Sequence, residues 1–219
     1  MNAINYQKEL DKILEKEQRS LSGGEQEIKT LFLHSCCAPC SSYVLEYLCG
    51  YFHITVYYYN PNISADEEYR KRVTEQIRLI KNYNREMQDG VRSGHPIRII
   101  EGDYEPQRFY EAVRGYEDCP EGGERCLRCF DLRLRETAKR AKEGGFDFLA
   151  TTLTISPLKN ARNINEIGAM LAKEHGVSWL PADFKKRDGY KRSIELSAEY
   201  ELYRQNYCGC VYSLRDGKN

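Results

Sequence analysis

The stretch Leu31-Phe-Leu-His-Ser-Cys-Cys-Ala-Pro-Cys-Ser-Ser42 joins an apolar run to three closely spaced thiols, and a helical pattern follows from about Tyr43. This layout predicts a buried parallel strand that carries Cys36, Cys37 and Cys40 into the turn at its carboxyl end. In open α/β sheets, ligands bind at that edge. We therefore expect a functional site at this turn.

Two further groups of cysteines lie far downstream, Cys126-Leu-Arg-Cys129 and Cys208-Gly-Cys210. Thiolates are soft ligands that suit iron–sulfur clusters, zinc and copper(I). The spacing favours an iron–sulfur site, but a zinc site and a redox dithiol stay open as alternatives. The seven clustered thiols exceed the four that one cluster or one zinc ion needs. This surplus indicates a second metal beside a cluster, or a dithiol that works with one.

The composition is that of a globular protein without a strong overall charge. Of its 219 residues 41% are hydrophobic, and 33 basic side chains balance 33 acidic ones, so nucleic-acid binding would need a local patch. No segment approaches the roughly 18 apolar residues of a membrane span, and the N-terminus lacks a signal-peptide layout, so we expect a cytoplasmic protein. Disulfides are rare in that compartment, and the isolated Cys49 is expected to be a small buried hydrophobe.

Strand and helix patterns alternate along the chain, which predicts a three-layer α/β domain with a mostly parallel sheet. If the first strand is central, its cysteine turn lies at the topological switch point, beside the ends of the second and fourth strands. The expected strands are 29–34, 53–59, 97–101, 146–152 and 178–181. The expected helices are 41–50, 64–87, 106–114, 131–143, a segment around 164–171, and 192–205.

The domain prediction is a single unit over residues 1–219, with 1–28 as a peripheral N-terminal segment and 29–213 as the catalytic core. The peripheral segment should hold a short helix and then a linker at Ser-Gly-Gly, residues 22–24. Ser64 and Glu67 are predicted to cap the long second helix, and 115–130, which holds three cysteines, to be irregular.

Several polar segments are candidates for binding a substrate. Tyr59, Asn60 and Asn62 end the second strand, and the segment 156–160 follows the fourth, so both should lie beside the cysteine turn. His34 is a further candidate for a functional role, because it ends the first strand. The basic stretch Lys185-Lys-Arg-Asp-Gly-Tyr-Lys-Arg192 is either a solvated helix entrance or a phosphate contact with a tyrosine for base stacking. Its candidate binding residues are Lys185, Lys186, Arg187 and Arg192. Arg70-Lys-Arg72 is interpreted as the wet face of its helix.

Taken together, the motifs resemble those of the QueH family of epoxyqueuosine reductases over about residues 30–213. The resemblance is carried by His34-Ser-Cys-Cys-Ala-Pro-Cys40, Tyr58-Tyr-Asn-Pro-Asn62, Cys126-Leu-Arg-Cys-Phe-Asp131, Thr151-Thr-Leu153 and Tyr203-Arg-Gln-Asn-Tyr-Cys-Gly-Cys210. It implies reduction of the epoxide of epoxyqueuosine to the cyclopentene of queuosine, at the wobble base of tRNAs with a GUN anticodon. It also implies an iron–sulfur enzyme that works without cobalamin and takes electrons from an external donor.

The layout of the chain and the chemistry of this reaction add expectations for the fold and for individual residues. The fold should be similar to the nucleotide α-hydrolase (HUP) folds, but thiols replace their phosphate-binding loop, so no ATP use is predicted. Cys36 and Cys37 should be catalytic, with Asp131 as a hard ligand or proton donor. Because neighbouring side chains diverge along an extended chain, Cys36 and Cys37 are expected to serve different atoms. A 4Fe–4S cluster and a second, mononuclear iron would share Cys36, Cys37, Cys40, Cys126, Cys129, Cys208 and Cys210, in a division that the sequence leaves open.

Two other functions compete with the reductase. The first is a cluster-dependent tRNA sulfur transferase on a related fold, which would need an ATP-binding first loop where Cys36–Cys40 stands. The second is a zinc-stapled RNA-binding module without catalysis. Metal analysis separates this module from the two enzymes, because iron with sulfide excludes zinc alone.

Overall fold

The computed structural model describes residues 4–22 and 27–216. Five parallel strands form one sheet in the order β3-β2-β1-β4-β5, with the first strand in the centre as predicted. The strands are β1 (Thr30–His34), β2 (His53–Tyr58), β3 (Arg98–Glu101), β4 (Phe148–Thr151) and β5 (Ser178–Trp179).

Eight α-helices and one 3-10 helix accompany this sheet in the part of the chain that the structure describes. They are α1 (Tyr6–Ser22), α2 (Ala38–Leu48), α3 (Asp66–Gln88), α4 (Pro106–Ala112), α5 (Glu124–Glu143), the 3-10 helix Thr152–Ile155, α6 (Ala161–His175), α7 (Gly189–Glu199) and α8 (Val211–Asp216). None of these described helices is long and apolar enough to cross a membrane.

The central strand is apolar on both faces because helices cover the sheet from both sides. Leu31 and Leu33 point into the main core, which α1, α2 and α3 also help to form. Phe32 points to the opposite face, where it packs with Tyr57 and Ala141. This alternation follows from the two-residue period of a strand. The register pairs His34 with Tyr57 on β2 and with Thr151 on β4, so all three strands end at the same edge.

The N-terminal helix is more than peripheral, because Leu10 and Leu14 are buried in the main core. The predicted linker begins at the end of this helix, and its Gly23 and Gly24 lie outside the described residues. Cys49 is buried at the end of α2, as predicted for a small hydrophobe. The division into a peripheral segment 1–28 and a core 29–213 stays a prediction.

Three predictions about where helices begin and end are wrong, and each concerns a segment near the site. Helix α5 begins at Glu124 and not near 131, so Cys126 and Cys129 lie in its first turns. The predicted capping box is absent: Ala65 precedes α3, and the Ser64 hydroxyl accepts a hydrogen bond from the Val211 N–H at 2.9 Å. The last predicted helix, 192–205, is Gly189–Glu199, and a further short helix, Val211–Asp216, follows the final cysteines.

Candidate active site and metal centre

The cysteine turn brings three sulfurs to one point. The Sγ atoms of Cys36, Cys37 and Cys40 all lie within 4.8 Å of one another, and those of Cys36 and Cys37 are 3.9 Å apart. The expected divergence of Cys36 and Cys37 is wrong because the chain bends at Cys36 and enters helix α2 directly after Cys37. Pro39 fits the first turn of α2, where no N–H is required. We call these three residues the thiol triad; they could hold a metal ion.

A second group of four cysteines lines a cavity of its own, which we call the thiol cage. Cys126 and Cys129 come from the first turns of α5, where a spacing of three residues puts both on one face. Cys208 and Cys210 come from the segment before α8. Phe109 and Tyr212 pack against Cys129 and Cys210 in a small apolar cluster. The cage is therefore shielded from water on that side.

Contacts with α3 fix the C-terminal half of the cage. Gly209 has a φ of +110°, and a Cβ atom there would lie 2.9 Å from Ile63 and 3.1 Å from Arg72, so glycine is required between the two cysteines. The Cys208 carbonyl accepts a hydrogen bond from Arg72 Nη1 at 3.2 Å. Arg72 is thus buried, and the interpretation that it lies on a wet helix face is wrong.

The triad and the cage border a common cleft of about 470 Å³. Cys36 and Cys40 line this cleft from the triad, and Cys208 lines both the cleft and the cage cavity. The volume lies within the range of typical small-molecule sites. The structure therefore divides the seven predicted ligands into three and four, with an open space beside them for a substrate.

Arg133, which the sequence did not single out, lies buried between the two thiol groups. Its Nη1 lies 3.9 Å from the Cys129 Sγ, and its charge also acts on the thiol of Cys36. Its other hydrogen-bond partners in the described structure are His34 and Asn60, so none is a carboxylate. A buried cation requires a compensating negative charge. The thiols of Cys36 and Cys129 are the nearby groups that can supply that charge, as thiolates or through an anionic group that they hold.

His34 positions this arginine and does not act as a base. Burial and the nearby Arg133 charge lower the pKa of His34 to about 3, so the ring is neutral. A guanidinium can only donate, so His34 Nε2 accepts from Arg133 Nε at 3.3 Å. The ring proton then resides on Nδ1, which donates to the Thr151 hydroxyl at 2.8 Å. The neighbouring Tyr59 carbonyl, 3.2 Å from Nε2, receives no proton in this arrangement.

The triad favours one thiolate. Hydrogen bonds from Cys37 and Cys40, helped by the cations Lys159 and Arg133, hold the pKa of Cys36 well below its usual value. The same hydrogen bonding raises the pKa of Cys37 to about 12. Because the thiolate is the form that binds metals and attacks electrophiles, Cys36 is the most reactive of the three.

Lys159 stands on the wall between the cage and the cleft and lines both. Burial disfavours its charge, but the thiols of Cys208, Cys36 and Cys40 outweigh that effect and raise the pKa of Lys159. It belongs to the predicted segment 156–160. Lys185 anchors this segment, because its Nζ donates to the carbonyls of Thr154 and Lys159 at 3.2 and 3.5 Å.

Of the predicted residues at the end of β2, Tyr59 and Asn60 are buried in the scaffold, whereas Asn62 lines the cage. Tyr59 is buried with its ring stacked on Tyr57. Asn60 is also buried: it donates to the Ser35 carbonyl at 2.8 Å and accepts from Arg133. Asn62 lines the cage, with its Nδ2 4.0 Å from the Cys208 Sγ, and its Oδ1 has no hydrogen-bond partner among the described residues.

The predicted basic residues are mostly engaged with the protein itself. Lys185 also pairs with Asp183 at 2.7 Å, Arg187 with Asp11 at 2.6 Å and Arg192 with Glu46 at 2.8 Å. Lys186 is exposed. Tyr190, the aromatic residue of this stretch, is 37% exposed and lines the cleft. The proposed phosphate contact of this stretch stays a prediction, with Lys186 as the exposed member that has no ion pair among the described residues.

The structure directs Asp131 away from both cavities. Its carboxylate accepts from Arg135 at 3.2 Å, and Arg135 in turn pairs with Glu174 on α6 at 2.7 Å. Residues two apart on a helix do not share a face, so Cys129 points into the cage while Asp131 does not. Its role as ligand or proton donor stays a prediction that this geometry does not support.

Comparison with known proteins agrees with the resemblance of the motifs. The chain matches a family model described as "Epoxyqueuosine reductase QueH" over residues 31–216. It is 43% identical over 215 residues to a protein of that name from Streptococcus pyogenes serotype M1, covering 97% of this chain and 79% of the relative. A Staphylococcus epidermidis protein of the same name is 42% identical, over 96% of this chain and 84% of its own length. One from Thermotoga maritima is 37% identical, over 84% of this chain and 90% of the relative.

Proposed function

Because the chain belongs to the QueH family of epoxyqueuosine reductases, we propose that its two thiol groups together reduce the epoxide of epoxyqueuosine in tRNA to the alkene of queuosine. The observation that carries the proposal is the division of seven cysteines into a triad and a cage around one cleft. The reaction consumes two electrons and two protons and releases the epoxide oxygen as water. It needs an external electron donor and no cobalamin.

The residues fit two iron centres. Cys126, Cys129, Cys208 and Cys210 would hold a 4Fe–4S cluster, since four thiolates are its usual ligands. Cys36, Cys37 and Cys40 would hold a single iron at the edge of the cleft. When bound, these groups would supply one-electron transfer and Lewis-acid chemistry. The buried charge of Arg133, which has no carboxylate partner among the described residues, supports an anionic group between the two sites.

The chain's own residues contribute positive charge where the reaction needs it. Breaking the C–O bonds of an epoxide leaves negative charge on the oxygen. Lys159 lines the cleft and lies close enough to the triad to interact with Cys36 and Cys40, so its ammonium group would stabilise that oxygen. Through its hold on the Lys159 carbonyl, Lys185 positions this segment. Arg133 acts indirectly, by fixing the Cys129 side of the cage.

The cleft would take the wobble nucleotide out of the anticodon stack. An enzyme that acts on a base must extrude it, and aromatic side chains then offer a surface on which it can stack. Tyr190 is half-exposed on the cleft wall and is placed for this role. The tRNA substrate, with a GUN anticodon, implies that the enzyme works in the cytoplasm.

Metal analysis is the first experiment. Protein isolated without oxygen should contain sulfide and at least four irons per chain and should absorb broadly at about 400 nm, because thiolate-to-iron charge transfer lies there. After reduction it should convert epoxyqueuosine to queuosine in tRNA, which mass spectrometry of the digested nucleosides detects. Zinc in place of iron would favour the RNA-binding module. Iron-loaded protein that binds the tRNA but forms no queuosine with a strong reductant would refute the reductase.

The basic stretch gives a second prediction. Replacing Lys185, Lys186 and Arg187 with alanine should weaken tRNA binding and flatten its salt dependence, since each lost phosphate contact lowers the slope by roughly 0.7 to 0.9. The single change Lys186→Ala should cause most of this loss of tRNA binding, because the side chains of Lys185 and Arg187 already have carboxylate partners. Iron content should stay unchanged in both variants. Lys139→Ala, an exposed change near the far end of α5, is the control. If the triple variant binds tRNA as tightly as the wild type at several salt concentrations, the stretch is an ordinary solvated surface.

A further inference from the structure

One carboxylate is present among the described residues that line the cleft beside the thiol triad. Among the described residues that line it, four are cationic (Arg72, Arg133, Lys159 and Arg204) and only Glu121 is acidic. Glu121 also lines the cage cavity, where it is again the only acidic residue among the described lining residues. It lies in the irregular segment before α5, on the exposed rim of both spaces.

Two of the cations that line the cleft already have partners, whereas the Glu121 side chain has none within the described structure. Arg72 is paired with Glu68 at 2.6 Å, and Arg204 donates to the Ser197 hydroxyl at 2.9 Å. No hydrogen bond or ion pair within the described structure involves the Glu121 side chain. An unpaired carboxylate at the mouth of a cation-lined cleft provides a site for a positively charged group of a ligand.

The proposed substrate carries such a group. The epoxide-bearing cyclopentane ring of epoxyqueuosine is joined to the base through a secondary alkyl amine, which is largely protonated near neutral pH. The ring carbon that bears the amine is bonded to one of the two epoxide carbons, so an anchored ammonium group holds the epoxide oxygen, which gains negative charge in the reaction, directly beside that anchor. The cleft offers a carboxylate at its rim for the ammonium group and a lysine beside the triad for the oxygen.

We propose that Glu121 is a specificity-determining residue, which binds the ammonium group of the epoxyqueuosine side chain and so directs the epoxide towards Lys159 and the thiol triad. This inference rests on the proposed function. Guanine, which the unmodified tRNA has at the wobble position, lacks the amine and gains nothing from Glu121.

The test is equilibrium binding without a reductant, so that no turnover occurs. Two tRNAs of the same sequence are compared, one with epoxyqueuosine and one with guanine at the wobble position. The iron-loaded wild-type protein should bind the modified tRNA about 10-fold more tightly, the scale of one charged contact in a partly desolvated site. Glu121→Gln should lose most of this preference through weaker binding of the modified tRNA only. Glu121→Lys should abolish it.

Asp118→Asn is the matched control, because Asp118 is an exposed acid in the same segment that lines neither cavity, and it should keep the full preference. The inference is overturned if Glu121→Gln retains the preference, if it weakens both tRNAs equally, or if the wild type shows no preference. In each of these cases the proposed function still holds if the wild-type protein forms queuosine. Wild-type protein that forms none refutes the proposed function itself.

Discussion

Cys208→Ala is expected to lose its 4Fe–4S cluster and all reductase activity. The cage has four thiols, the number that one cluster needs, and the backbone at Cys208 and Gly209 is held in place. Arg72 binds the Cys208 carbonyl, and the Ser64 N–H donates to the carbonyl of Gly209 at 3.0 Å. Cys210 therefore cannot move into the vacated position without breaking these contacts. Cys126→Ala, Cys129→Ala and Cys210→Ala should behave alike.

Iron and sulfide per chain, the absorbance at about 400 nm and the rate of queuosine formation are the three measurements. Cys119→Ala is the control, because Cys119 belongs to neither thiol group although it lies only seven residues before Cys126. It should keep its iron and its activity. Full iron content and full activity in Cys208→Ala would remove the C-terminal pair from the site and with it the four-thiol cage.

The fold was predictable because its determinants are local patterns. β1 is apolar without alternation, which indicates a strand covered on both faces, and it is indeed the centre of the sheet. The cysteine turn follows directly from this position. Helix α5 was harder to place, because Gly122 and Gly123 suggest a loop while the apolar repeat becomes clear only from Leu134. Packing of Phe130 and of the cage cysteines extends the helix back to Glu124.

This boundary explains why parts of the site were missed. With Cys129 placed in a helix, Arg133 stands one turn further on the same face, so the spacing of four residues would have revealed it. With Cys129 placed in a loop, Asp131 is instead the nearest candidate hard ligand or proton donor. Glu121 carries no local signal at all. Its significance comes from the tertiary structure, which gathers cations around the cleft and leaves this carboxylate at the rim.

The reactive half of the site is the thiol triad, and Cys36→Ser should show this most directly. The variant is expected to keep the four irons of the cage, because Cys36 does not line it, and to lower the single-turnover rate at least ~100-fold. That factor corresponds to about 2.7 kcal/mol of transition-state stabilisation. Serine preserves the size of the side chain, but its hydroxyl cannot replace the thiolate that Lys159 and Arg133 stabilise. Cys37→Ser should have a similar effect, since its sulfur lies 3.9 Å from that of Cys36.

Iron and sulfide per chain must be measured beside the single-turnover rate on tRNA that contains epoxyqueuosine. If the triad holds a separate iron, both variants should lose about one iron per chain and no sulfide. Cys49→Ser makes the same exchange at a buried cysteine far from the cleft, where the thiol faces the Glu46 carbonyl at 3.6 Å, and it should turn over normally. If Cys36→Ser and Cys37→Ser lose the entire cluster together with activity, all seven thiols serve one centre. The cleft would then have no second metal at its edge, and the two-centre mechanism would be wrong.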